Sequence, residues 1–116
     1  MELGHQGFEV TIGANGAAVV VAVTGEVDIT TSPRLSACLD TAARSGHDLV
    51  IDLDGVSFID ASGLGALVRA ANVSARWGAT VVLRRPSALV QKMLAVAGLD
   101  DVLPVVDALN AGKRRR

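Results

Sequence analysis

The residues best suited to chemistry lie in one run, Val50 to Leu67, with the sequence VIDLDGVSFIDASGLGAL. Within it, Asp60, Ala61, Ser62 and Gly63 fall where a buried strand gives way to a helix. Free backbone N–H groups and the positive end of the helix dipole gather at such an entry, which suits an anion. The carboxylate of Asp60 already favours that position and repels a second negative group. A phosphate on Ser62 brings a charge of about −1.5 to −2 beside that carboxylate. The fold tolerates the phosphate only if it points outward, and the surface potential then changes sharply. That is switch chemistry. The plainer reading of the same residues is a helix cap, with Gly63 and Gly65 letting the helix approach the sheet. On residue type alone, capping is the commoner use.

Catalysis fares worse. ASGLG lacks the first glycine of the nucleophile elbow, and no histidine follows Ser62, which excludes the triad order of the α/β-hydrolases. His5 and His47 lie upstream without an orienting carboxylate or a ligand-spaced partner. Gly63-x-Gly65 has neither a third glycine at the dinucleotide spacing nor a phosphate-loop lysine. Cys38 is the single cysteine, so neither an internal disulfide nor a thiolate metal cluster can form. The chain is therefore expected not to be an enzyme and to need no cofactor or metal.

The elements that position this run follow from periodicity. Residues 8–12 alternate apolar and polar, as in a strand with one wet face. Asn15-Gly16 signals a turn, and the apolar run Val19–Val23 reads as the buried second strand of a hairpin. Ser32-Pro33 starts a helix, with Ser32 as its cap, carrying Leu35, Cys38, Leu39 and Ala42 on one face and stopping at Gly46. Asp48–Leu53 reads as a short buried strand, followed by a tight loop. A second helix from about Ser62 to Trp77-Gly78 carries Leu64, Leu67, Val68 and Ala71 on one face. Thr80–Leu83 is another buried strand. Ser87 opens a third helix through Leu89, Val90, Met93 and Leu94, closed by Gly98. Val102–Val106 is a final edge strand, because Pro104 cannot serve a central ladder, and Asp107 caps one last turn. Strands alternating with helices predict α/β: a single domain with a mixed, mostly parallel sheet opened by a β-hairpin and helices mainly on one face. Trp77 is expected to anchor its helix to the sheet, and Arg84-Arg85 to lie at a strand end in water.

Composition agrees. At 116 residues, 50% apolar and 20% charged, the chain suits one compact core, aliphatic because aromatics are 3%. No run approaches the ~20 apolar residues of a membrane span, and MELGHQGFEV is no secretion signal, so a cytoplasmic location is expected. The net charge of −1 hides an asymmetry. Four of the eleven basic residues form the tail Lys113 to Arg116, leaving seven against twelve acidic ones, a balance of −5. An acidic body gains nothing from nucleic-acid phosphates. The division is thus a domain over 1–112 and a basic tail over 113–116, which reads more simply as a solvated end than as a phosphate or lipid-headgroup site.

Three stretches carry a family resemblance. FIDASGLGALV at 58–68 resembles the signature of STAS domains, specifically those of anti-sigma-factor antagonists. VTGEVDITTSPRL at 23–35 resembles their Gly-Glu-hydrophobic-Asp turn before the first helix, and AGLDDVLPVVDAL at 97–109 resembles their C-terminal close. The resemblance spans nearly the whole chain.

It implies that Ser62 is the serine phosphorylated by an anti-sigma factor with serine-kinase activity, with Asp60 the acidic residue beside it. Asp28 and Thr30 match the neighbouring turn that contributes to partner contact, and Gly63 and Leu64 match the rest of the loop. The unphosphorylated form would bind the anti-sigma factor and release a sigma factor; phosphate would break that complex, and a phosphatase would reverse it. Many relatives have two adjacent hydroxyl residues here, whereas this chain has Ala61, so Ser62 is the acceptor within the motif; Ser57 lies before it. The alternative is a STAS subunit of an ABC-type lipid transport complex, with Ser62 and Thr30 as interface residues. Neither reading calls for nucleic acid or membrane insertion.

Overall fold

A computed structural model describes residues 7–106. Its order is β1 (Glu9–Asn15), β2 (Ala18–Val27), α1 (Ser32–Ala43), β3 (Leu49–Ile59), α2 (Ala61–Arg76), β4 (Val81–Arg84), α3 (Ala88–Val96) and β5 (Val105–Val106). The strands form one sheet in that same order; β1 and β2 pair antiparallel and the other three pairs are parallel. Gly16, at φ +66°, makes the tight β1–β2 turn with Ala17. The fold class expected from the sequence stands.

Strand alternation decides the core. On β2, Val21 and Val23 are buried toward the helices with Leu35 and Leu39 of α1, Ile51 and Leu53 of β3, and Leu67 of α2. Ala18 and Val20 belong to a smaller cluster with Val50, Val82 and Val106, which no described helix joins. The described helices therefore cover one face; β2 is buried there at Val21 and Val23, while on the other face Ala18 is buried but Val20 and Ala22 are only half-buried, short of the burial its apolar run predicts.

Several expectations need correction. β1 is an edge strand whose alternation holds only at its start: Phe8 is buried and Val10 packs against the core, but Ile12 is exposed. β3 does not stop at Leu53 but runs on to Ile59. Two register shifts against β2 put extra residues into β3, so its buried positions fall at Leu53, Val56 and Ile59 and the two-residue period is lost. For the same reason Gly25, Glu26 and Val27 are strand, and the turn begins at Asp28. Thr31, not Ser32, holds the cap position of α1. Its hydroxyl instead accepts from Asp28 N (3.0 Å) and donates to the Glu26 carbonyl (2.9 Å). The buried line of α2 runs through Gly63, Ala66, Leu67, Ala70 and Val73, with Leu64, Val68 and Ala71 half-buried beside it. Small residues face inward there because α1 packs closely against that side.

Leu89 on α3 is exposed, and so is Trp77 at the end of α2, which does not anchor the helix. Arg84 is half-buried and donates to Asp52 at 2.8 Å, while Arg85 is exposed with φ +52°. β5 has shrunk to two residues, Val102 and Leu103 lying in a turn. Asp107, His5 and the basic tail lie outside the described residues.

Candidate functional site

The site is built by two strands ending side by side. Val27 of β2 pairs with Ile59 of β3, and Asp60 N donates to the Val27 carbonyl at 3.1 Å. The next residue on each chain segment is an aspartate. Asp28 Oδ1 accepts from Thr30 N (2.9 Å), Thr30 Oγ1 (2.7 Å) and Thr31 N (3.2 Å). Asp60 Oδ1 accepts from Ser62 N (2.9 Å), Ser62 Oγ (2.6 Å) and Gly63 N (3.2 Å). Asp60 thereby caps α2, filling the donor cluster that a helix entry leaves open. Both carboxyls sit below the ordinary aspartate range. The Ser62 hydroxyl is the largest cause at Asp60, and the Thr30 hydroxyl at Asp28. The negative charge of Asp28 pushes the other way on Asp60, which places the two carboxylates within electrostatic reach.

All six residues singled out from the sequence come together here, in different roles. Thr30 is exposed, while Asp28, Asp60 and Ser62 are half-exposed. Gly63 is buried: a Cβ on it would lie 2.5 Å from Ile59 Cγ1 and 2.7 Å from Val27 Cγ1. Its lack of a side chain lets α2 enter against the two strand ends, as the plainer reading of this glycine expects. Gly65 meets nothing within 4 Å and has no such reason. Leu64 is half-buried against the core, its N–H bonded to the Asp60 carbonyl (3.0 Å).

Two apolar neighbours escaped the sequence reading. Ile29, between Asp28 and Thr30, is 75% exposed, and Phe58, two residues before Asp60, is 44% exposed. The register shift beside Phe58 hides its orientation from any alternation rule, and Ile29 is isolated among polar residues. The available signal was the repeat itself: Asp-x-Thr at 28–30 and Asp-x-Ser at 60–62, each closing a strand. A cleft of about 380 Å³ lies beside Asp28, with Gly25, Glu26, Thr31 and Ser57 in its walls. Gly25, at φ +95°, lies against Gly7 in its wall: a Cβ would lie 1.8 Å from the Gly7 carbonyl oxygen. On the Ser62 side a groove of about 340 Å³ separates α1 from α2.

Among the described residues no group of three or more histidine, cysteine or acidic side chains has metal-binding geometry. Cys38 is half-buried, and burial pushes its thiol up, away from reactivity. No described helix is long and apolar enough to cross a membrane.

Comparison with known proteins gives consistent results. The family model described as "Mlab, STAS domain" matches residues 10–107. The anti-sigma-B factor antagonist of Bacillus subtilis is 29% identical over 98 residues, covering 84% of this chain and 90% of that protein. That of Listeria monocytogenes is 31% identical over 84 residues, covering 72% and 74%. The crystal structure of an anti-sigma factor antagonist from Mycobacterium paratuberculosis aligns with a TM-score of 0.75 at 27% identity, covering 91% of each chain.

Proposed function

The chain belongs to the STAS domain family, and on that premise we propose that it is an anti-sigma-factor antagonist whose binding is switched off by phosphorylation of Ser62. In the unphosphorylated form it binds an anti-sigma factor with serine-kinase activity and so releases a sigma factor. The observation that carries this reading is the 2.6 Å bond from Ser62 Oγ to the capping carboxylate of Asp60. Transfer from a nucleoside triphosphate forms the Oγ–P bond, breaks the terminal phosphoanhydride bond to release the diphosphate, and removes the hydroxyl proton. The kinase supplies the base that takes this proton, while Asp60 holds the Ser62 hydroxyl in place. The product has no O–H to give Asp60 and carries about −1.5 to −2 charge against two carboxylates.

The rest of the site supplies the docking surface. Ile29 and Phe58 offer apolar contact area around Asp28, Thr30, Asp60 and Ser62, with Gly63 and Leu64 setting the height of the helix end. Charge added at the middle of such a patch costs like-charge repulsion and desolvation without any change of fold. The domain is taken as 1–112 with a basic tail at 113–116. A phosphatase would restore the binding form. The protein acts by binding rather than by catalysis.

Purification from the host in growth and under stress, with phosphopeptide mapping and identification of partners, tests the proposal. Condition-dependent phosphate on Ser62 beside a kinase-like anti-sigma factor is the expected result. A Ser62 never phosphorylated, in a chain retained by an ABC-type ATPase, would replace it with the lipid-transport reading.

A further inference from the structure

The Ser62 side chain stands between two unlike surroundings. On one side is the carboxylate of Asp60, bonded to Ser62 Oγ at 2.6 Å. On the other is the α1–α2 groove, lined by Ser32, Pro33, Ser36, Gly65, Arg69 and Ser62 itself. Arg69 is the one charged residue in that lining. It follows Ser62 by seven positions, about 700° of helical rotation, so the two side chains share a face at a rise of about 10 Å. Long helical side chains lean back toward the N-terminus, which brings the guanidinium toward Ser62. From α1 the groove receives only hydroxyls and a proline; the nearby Arg34 is engaged elsewhere, over the Phe8 ring at 5.0 Å.

A phosphate on Ser62 cannot stay where the hydroxyl is. The Oγ–H that held it to Asp60 is gone, and the Ser62 and Gly63 N–H groups, otherwise an anion site, are occupied by Asp60 Oδ1. The Asp60 carboxylate repels it, while the groove offers room, two serine hydroxyls and a cation. We infer that the α1–α2 groove is the seat of the Ser62 phosphate and that Arg69 is the residue that positions it. This inference rests on the proposed phosphorylation and adds the place where the phosphate goes. The open helix surface at Gly65 keeps the path between Ser62 and Arg69 clear. A phosphate so held presents its charge at a fixed place and takes the groove away from a partner.

The test uses the full chain with phosphoserine installed at position 62 during translation, in the wild-type background and in R69Q and R69K. Phosphorus NMR follows the second ionisation of the phosphate across pH 4.5 to 8. A cation beside the dianion lowers that pKa, so its removal raises it. R69Q should titrate about half a unit higher than wild type at low salt, with the gap closing as salt is added and R69K restoring most of it. Identical titrations in wild type and R69Q overturn the Arg69 assignment. Because Arg69 is exposed, unmodified R69Q should melt with the wild type, which separates this effect from misfolding. Affinity for the anti-sigma factor, measured on the same samples, separates the two failures. If phosphate leaves binding unchanged, the Ser62 switch itself falls; if phosphate abolishes binding while the titrations coincide, only Arg69's role does.

Discussion

The ends of β2 and β3 carry the same small device attached to different things. Asp28 gathers the N–H and hydroxyl of Thr30, and Asp60 gathers the N–H and hydroxyl of Ser62. Asp28, however, closes a turn that is complete before α1 begins at Ser32, and its backbone carbonyl, not its carboxylate, takes the Ser32 N–H at 2.7 Å. Asp60 is the cap of α2 itself. The middle residues differ as well: Ile29 sets a large exposed apolar side chain beside Thr30 in sequence, while Ala61 precedes Ser62 with only a methyl group. An Asp-x-Ser/Thr turn is thus only a local motif. It becomes a candidate switch where the carboxylate also holds a helix and the hydroxyl opens on a groove.

The strongest perturbation should come where the two devices meet. Gly63 touches Val27 and Ile59, the last strand residue before each aspartate. Gly63→Val should therefore destabilise the fold by about 3 kcal/mol in urea unfolding, because both contacts are core side chains with little room to yield. A variant as stable as wild type would mean that α2 can lift from the strands without cost.

Binding should separate the two turns next. Ser62→Asp should weaken affinity for the anti-sigma factor by at least about tenfold, with Ser62→Ala close to wild type. Thr30→Asp, placed on the outer turn, should cost less. Equal losses at positions 30 and 62 in titration calorimetry would erase the distinction drawn between them.

A smaller effect lies in the carboxylates. Asp60→Ala removes a helix cap and should lower Tm by a few degrees, more than Asp28→Ala. Both carboxyls are depressed in the folded state, so their contribution is present above the unfolded-state pKa. It is lost as pH falls below about 4 and through the folded values. Thermal melts between pH 6 and pH 3 should show the gap between wild type and Asp60→Ala narrowing; a constant gap would contradict the capping role.

The least change, and the opposite sign, is expected at Gly65, two residues beyond Gly63. A Cβ there meets no atom within 4 Å, so in the unphosphorylated chain Gly65→Ala should stabilise by about 0.5–1 kcal/mol, measured by urea unfolding. Destabilisation there would show a steric demand that the folded chain does not account for.

Much of this was legible in the sequence. Turn glycines, Pro33 and the run of strands and helices gave the α/β order, and the spacing around Ser62 placed it at a helix entry. What stayed hidden had a common physical cause. The register shifts in β3 break the alternation after Leu53, so its second half read as loop and the exposure of Phe58 could not be foreseen. The fully buried line of α2 lies to one side of the Leu64, Leu67, Val68 and Ala71 face, because Gly63, Ala66 and Ala70 join Leu67 there while Leu64, Val68 and Ala71 pack at its edge. Which residue takes the cap of α1 depended on Thr31 bonding backward to the Glu26 carbonyl, a tertiary choice that residue type does not encode.

The decisive question is whether phosphate at Ser62, and nothing else, decides partner binding. The direct measurement is calorimetric titration of the anti-sigma factor with the chain carrying either serine or phosphoserine at position 62, both shown to be folded by circular dichroism. The serine form should bind and the phosphoserine form should lose at least about tenfold in affinity, with unchanged secondary structure. Equal affinity of the two folded forms would contradict the switch.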